Sequence, residues 1–280
     1  LGLYLRPTTL EVALDALHAR ALTIVAGGTD FYPARVGQPL TDDVLDIQGI
    51  AGLRGIQERA IDFRIGATTT WTDILDSALP PLFDGLKLAA REVGGAQIQN
   101  AGTICGNICN ASPAADGVPA LLALDASVEL CSAAGVEIVP LAEFVLGNRR
   151  IRRLPHQLVT AVIVPKPAGR AAGHFMKLGA RRYLVISIVM AAATIEVDRS
   201  GGIAEARVAV GACSPVARRL PALEADLRGT KVDGRIGRVV DAAHLGVLAP
   251  IDDVRGSAEY RVDAALVVVR RLLDELGSLL

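Results

Sequence analysis

The amino-acid sequence predicts an α+β protein of two or three compact domains, and three observations predict it. The chain has 280 residues, too many for one minimal core. Hydrophobic residues make up 51% of it and aromatics only 4%, so Leu, Val, Ile and Ala must fill ordinary globular interiors. Helical and strand periodicities alternate along the chain, and the strand-like runs break at glycine or proline.

Taken in order, Thr8 to Arg20 carries Leu10, Ala13, Leu14 and Leu17 at helical spacing behind a capping Thr. A short apolar strand, Leu22 to Val25, breaks at Gly27-Gly28, and VLDIQGI follows as another strand and turn. This β-α-β order makes residues 1 to about 55 a small α/β domain. DFRIGA reads as a strand, and helices follow near Thr72 to Ser77 and Gly85 to Val93. Residues 100–117, NAGTICGNICNASPAADG, read as a loop of small residues, out of which a helix opens at Pro113 behind a Ser112 cap and carries ALLALDA. ASVELCS and VEIVPLAEF alternate as strands about a Gly135 turn, and LVTAVIVPKP is a further strand closed by two prolines. From Gly173 to Ala212 the expectation is a helix, a strand, a hairpin turn at Gly201-Gly202 and a second strand. Two helices complete the chain, the last from Glu259 to Leu276 with Val262, Ala265, Leu266, Val269, Leu272 and Leu273 on one face.

Composition excludes several functions. A net charge of −1 lacks the basic surplus of a nucleic-acid binder. The longest apolar run, Leu184 to Ile195, is interrupted by Ser187 and falls well short of the roughly 20 residues that span a bilayer. The opening LGLYLRPTTLEVALDAL has no basic n-region and no apolar stretch, so no secretory signal is expected. Cys105, Cys109, Cys131 and Cys213 form no disulfide framework, which fits a reduced, cytoplasmic chain. His18, His156, His174 and His244 are scattered, without partners at metal-ligand spacing. Cys105 and Cys109 have the separation of one zinc-ligand pair, but a second pair is missing and small packing residues are the better reading. Arg149, Arg150, Arg152 and Arg153 form the one basic cluster, read as a solvated loop or a contact with an acidic partner surface.

Two stretches remain as candidate chemistry. VAGGTD at 25–30 and the small-residue stretch at 100–117 both follow apolar segments and both offer backbone N–H groups unobstructed by side chains. Such glycine-rich turns form concavities suited to a pyrophosphate. Two of them, on neighbouring domains, can grip one extended phosphate-bearing ligand in the cleft between. No GxGxxG or P-loop pattern is present, so a Rossmann dinucleotide site has no support.

AGGTD at 26–30, TICGN at 103–107, ASPAAD at 111–116, MKLGARRYLVIS at 176–187, GACSPVARR at 211–219 and DDVRGSAEYR at 252–261 together resemble one family over the whole chain. It is the FAD-binding (medium) subunit of the molybdenum hydroxylases, of xanthine dehydrogenase and carbon monoxide dehydrogenase type. The resemblance implies an α+β fold of the vanillyl-alcohol-oxidase type. Its two α/β subdomains, residues 1–57 and 58–168, cradle FAD, and a C-terminal domain, 169–280, has a small antiparallel sheet and helices. It implies that Ile24, Val25, Ala26, Gly27, Gly28, Thr29, Asp30 and Phe31 wrap the pyrophosphate, and that Thr103, Gly106 and Asn107 clamp it from the other side. Asp116 is implied to hydrogen-bond the ribityl or ribose hydroxyls, and Val93 and Gly94 to lie near the flavin. Lys177 and Ile186 are implied to contact the cofactor from the third domain. One departure from the family pattern is Cys105, which stands where the family has glycine; a positive φ there would make it strained, and it would bring a thiol near the flavin. The partners implied are a molybdopterin large subunit and a [2Fe–2S] small subunit, with NAD, oxygen or a quinone as final acceptor. Competing readings are a self-contained flavin oxidoreductase, which would want an active-site base or Tyr facing the flavin, and a scaffold that has lost its cofactor.

Overall fold

The computed structural model describes residues 2–280. It contains three main sheets, each built from one stretch of the chain. The first is parallel, in the order β1 (Tyr4–Leu5), β3 (Val44–Asp46), β2 (Thr23–Val25). Helix α1 (Leu10–Ala19) crosses over between β1 and β2, capped by Thr9, whose side chain accepts from Val12 N at 3.4 Å. Ala13 and Leu17 are its buried face, as the helical spacing predicts.

The second sheet has five antiparallel strands in the order β4 (Ile56–Glu58), β5 (Asp62–Gly66), β10 (Leu158–Pro165), β6 (Ser127–Ser132), β7 (Gly135–Pro140). Between β5 and β6 run α2 (Trp71–Asp76), α3 (Asp84–Glu92), α4 (Ala96–Ala101), α5 (Ile104–Asn110) and α6 (Gly117–Ala123). A short α7 (Leu141–Phe144) and the ribbon of β8 (Val145–Gly147) and β9 (Arg150–Ile151) lead back to β10.

Two expectations change here. The small-residue stretch is largely helical: α4 ends at Ala101, and α5 begins directly after Thr103, whose Oγ1 accepts from Gly106 N at 3.1 Å. Ile104 and Ile108, four apart, bury the inner face of α5, so packing overrides the low helix propensity of Gly and Asn. The helix expected from Pro113 starts instead at Gly117. Ser112 Oγ accepts from Ala114 N at 3.3 Å, which closes a local turn ahead of the helix.

The third sheet is antiparallel, β11 (Arg170–Leu178), β12 (Val189–Val197), β13 (Ile203–Gly211) and β14 (Arg218–Arg219), with α8 (Pro221–Leu227) and α9 (Ala258–Leu279) behind it. The helix expected at the start of this region is the strand β11, followed by an irregular segment to Ile188; it pairs with β12 from Arg170↔Val197 to Leu178↔Val189. The hairpin turn lies where predicted, with Gly201 at φ +80.

Every residue of β12 is buried because both faces of this sheet are covered. Phe175, Met190, Ala192 and Ala209 join the core shared with the first two sheets, whereas Ala191, Ala193, Ile195 and Val208 pack under α8 and α9. Helix α3 lies flush on β11: a Cβ on Gly85 would fall 2.9 Å from His174 backbone, and one on Gly173 would fall 2.5 Å from Leu82 O. Arg261 on α9 is buried and donates to Ile188 O at 2.6 Å, Ala212 O at 3.0 Å and Asp253 at 2.7 Å, which ties the helix to the mouth of the sheet. No helix among the described residues is long and apolar enough to cross a membrane.

Candidate functional site

The chain leaves β2 at Val25 and turns back on itself at Gly28, which has φ +67. The turn is held from several sides. Gln48 donates to Ala26 O. Gly27 lies so close to the end of α4 that a Cβ would fall 1.9 Å from Ala101 O. Arg35 donates to Phe31 O at 3.0 Å and covers the Phe31 ring at 3.8 Å. Small residues are therefore needed first for contact of backbone with backbone, which brings the first loop against the break between α4 and α5.

The result is a cleft of about 640 Å³ between the first and second sheets. Residues 24–31 line it throughout, with Val93, Thr103, Gly106 and Asn107 opposite. Within residues 27–31, no backbone N–H donates to any acceptor among the described residues, so five consecutive donors at the cleft are free. Asn107 lines the cleft from α5; its Oδ1 is buried beside Gly117 without a hydrogen-bond partner, which leaves the amide Nδ2 as the donor it can offer the cleft. A row of N–H donors opposite an amide, in a walled cleft, suits an elongated anionic ligand.

The other candidates lie outside this lining. Gly94, at φ +58, turns the chain beside Val93 and packs on Ile98, itself a wall of the cleft. Asp116 and Lys177 hold each other: Lys177 Nζ lies 2.7 Å from one carboxylate oxygen and Ser187 Oγ 2.7 Å from the other. Both are buried, and burial pushes the Asp116 carboxyl up, with Lys177 opposing. The pair joins the start of α6 to β11 and to the segment before β12. Ile186 is exposed and lines a separate cleft of about 550 Å³ beside the third sheet, which meets the first cleft at Arg149.

Cys105 has no positive φ and sits in the first turn of α5, buried, where cysteine is compatible with the helix. It faces an apolar pocket of about 390 Å³ on the other side of Gly106, which shares Ile24, Ala26, Gly106 and Cys109 with the main cleft. Burial pushes the Cys105 thiol well up and that of Cys109 up to about 12, so neither is a ready nucleophile.

Several lining residues carried no signal in the sequence. Trp71 is almost wholly buried at the base of the cleft, against Gly102 and Gly117. The arginine cluster is largely used internally: Arg152 reaches Glu137 and Glu143, Arg153 caps the carbonyls of Leu154, Pro155 and Gln157, and Arg149 crosses the cleft to Asp30.

Fold and cleft define a chain of two α/β lobes with a donor-lined cleft between them, suited to an elongated anionic ligand, and a third, antiparallel domain that braces them. Residues 2–167 match the family described as the FAD binding domain in molybdopterin dehydrogenase, and residues 174–276 match the CO dehydrogenase flavoprotein C-terminal domain. The chain is 35% identical over 208 residues to the nicotinate dehydrogenase FAD-subunit of Eubacterium barkeri, covering 71% of this chain and 70% of that one. It is 31% identical over 287 residues to the carbon monoxide dehydrogenase medium chain of Afipia carboxidovorans, covering 97% and 95%. The reconstituted CO dehydrogenase structure from Oligotropha carboxidovorans superposes with a TM-score of 0.88 at 26% identity, over 99% of this chain and 98% of that one. The chain thus belongs to the FAD-binding subunits of the molybdenum hydroxylase family, and is a flavoprotein oxidoreductase subunit with FAD as its cofactor.

Proposed function

We propose that this chain carries electrons within a larger molybdenum hydroxylase, receiving them from [2Fe–2S] clusters of a small subunit and delivering them to an external acceptor. The large subunit, with its molybdopterin, hydroxylates the substrate. The observation that carries the cofactor placement is the run of five free backbone N–H donors, residues 27–31, along the wall of the cleft. On this reading the backbone N–H groups of residues 27–31 and the Asn107 Nδ2 donate to the diphosphate, and Gly106 permits close approach because a Cβ there would meet only Thr103 within 3 Å. The apolar pocket beside Gly106, walled by Leu22, Ile47, Cys105 and Val159, takes the adenine. Asp116, Lys177 and Ser187 fix the third domain against the cleft from behind.

When bound, FAD supplies the ability to accept and release electrons one or two at a time. The protein's own groups position it and offer little acid–base chemistry. The only carboxylate in the main cleft, Asp30, is paired with Arg149 at 2.7 Å, and no Tyr or His lines it. The only carboxylate in the adjoining cleft, Asp253, is held well below the usual carboxylate range, first by its hydrogen bond from Arg255. A self-contained enzyme acting on an organic substrate would want a free base there, which favours the electron-carrying role.

The test is native purification from the source cell with a tag on this chain. Co-purification with a molybdenum-containing large subunit and an iron–sulfur small subunit, and bleaching of the flavin absorbance by the hydroxylase substrate, are expected. A chain that purifies alone and reduces its flavin with an organic substrate unaided would overturn the proposal.

A further inference from the structure

Three charged residues line the main cleft: Asp30, Arg35 and Arg149. The two arginines differ in how they are held. Arg35 makes two bonds of 2.8 Å to Asp42, one of 3.0 Å to Phe31 O, and stacks on the Phe31 ring, so its guanidinium is fixed. The Arg149 side chain has one partner, Asp30 at 2.7 Å, and both side chains of that pair are more than half exposed, at 56% and 55%. An exposed pair of this kind holds its members weakly.

The backbone of Arg149 tells a different story from its side chain. It stands at φ +57, a left-handed conformation rarely adopted by a residue with a long side chain. Its N–H donates at 3.0 Å to Ala111 O, at the end of α5, where Ala111 is itself left-handed at φ +48. Strain of this kind persists where the surrounding structure imposes it, and it is concentrated at functional sites. Here it anchors the root of Arg149 at the cleft while the guanidinium keeps a single, exchangeable partner.

Asp30 is the opposite case. Its carboxylate stands beside the five free N–H donors, in a cleft that suits an anion, and it is the one group there that repels one.

We propose that Arg149 is a diphosphate-recognising residue of the cofactor cleft and that Asp30 is its competitor, so that the two members of one ion pair act on dinucleotide affinity in opposite directions. The inference rests on the cofactor placement above. When a diphosphate occupies the cleft, the guanidinium moves from a single carboxylate to a group of higher charge and matching bidentate geometry. Asp30 opposes this twice, by holding Arg149 and by repelling the phosphates.

The experiment measures binding of FAD and of ADP to apo-protein by fluorescence quenching and calorimetry, for the wild type and for Arg149→Gln, Arg149→Lys and Asp30→Asn. Circular dichroism and melting establish that each variant folds. Arg149→Gln is expected to weaken FAD and ADP by the same factor, roughly ten- to a hundredfold, the range for losing a charge-assisted hydrogen bond. It should also flatten the loss of affinity with added KCl, and Arg149→Lys should recover part of the loss. Asp30→Asn should tighten both ligands. Equal loss of affinity in Arg149→Gln and Asp30→Asn would mean that the pair is a structural strap and would overturn the proposal. So would a loss confined to FAD, because ADP shares only the diphosphate and adenine. Wild-type protein that takes up no FAD would overturn the cofactor placement itself, a result distinguishable from normal uptake by Arg149→Gln, which overturns only the role of Arg149.

Discussion

Gly27→Ala is the sharpest test of how the two loops are brought together. A Cβ at this position would lie 1.9 Å from Ala101 O, 2.7 Å from Ala101 C and 3.0 Å from Gly102 Cα. All three neighbours are backbone, so no side chain can rotate away. The first loop and the end of α4 must separate by about 1.1 Å (3.0 − 1.9) merely to reach the shortest approach that real side chains make. Overpacking of this size costs about 1–3 kcal/mol, or some 2–4 °C in melting temperature for each kcal/mol. The effect on the cofactor should be larger. Hydrogen bonds weaken steeply beyond their usual 2.7–3.2 Å, so a displacement of about 1 Å removes several donors from the diphosphate at once. Losing two charge-assisted bonds at about 1.5 kcal/mol each is roughly a hundredfold in Kd. The assay is FAD titration of apo-protein with melting curves in the presence and absence of FAD. Gly52→Ala is the control, because a Cβ there has no neighbour within 4 Å. If Gly27→Ala binds FAD and melts like the wild type, the loops are not in contact as described and the account of the small residues is wrong.

Three further predictions concern buried polar groups. Asn107→Leu removes a buried Oδ1 that has no donor together with the Nδ2 that would donate to the diphosphate, so the apo-protein should melt at or above the wild-type temperature while FAD affinity falls by about 1–3 kcal/mol; unchanged affinity would refute the role of Asn107. Lys177→Met strands the Asp116 carboxylate in a buried position and should destabilise by about 3–5 kcal/mol in chemical denaturation, with Asp116→Asn in the same chain recovering much of it. A single variant as stable as the wild type would mean that the pair contributes nothing. The Cys109 thiol, pushed up to about 12 by burial from an ordinary value of 9.0, stays neutral across physiological pH. Its folded value is raised, so its contribution to stability is intact below pH 9 and is lost as pH rises towards 12. Native protein should therefore leave half-buried Cys109 largely unlabelled by iodoacetamide at pH 8, as read by peptide mass spectrometry; rapid labelling would contradict the raised thiol.

Much of the fold is legible because its signals are local. The apolar spacing of α1 and α9 and the Gly201 turn between two apolar strands are properties of neighbouring residues. The small-residue stretch misled for a physical reason. Gly, Asn and Ala argue for a loop by propensity, but Thr103 supplies a cap and Ile104 and Ile108 supply a buried face, so a short helix forms once the surrounding core exists. The strand β11 was hidden in the same way. Its nine-residue pairing with β12 determines its state, and its own sequence has little β-branched character to announce it.

The site divides along the same line. That residues 24–31 and Thr103, Gly106 and Asn107 line one cleft was legible because the chemistry of the loop is the chemistry of its own backbone, so glycine content already describes it. The side chains that complete the site depend on partners far away in the chain. Asp116 meets Lys177 and Ser187 across 61 and 71 residues, and Arg149 meets Asp30 across 119. Nothing local distinguishes Arg149 from Arg150, Arg152 or Arg153, and only the fold decides which guanidinium stands over the cleft. A basic cluster read as one feature thus separates into two structural arginines, Arg152 on two glutamates and Arg153 on three carbonyls, an exposed Arg150, and Arg149, which reaches across the cleft to Asp30. That separation is what makes the cluster testable residue by residue, because the Arg149 substitution should change dinucleotide affinity, while substitution of Arg152, which lines neither pocket, should register in stability alone.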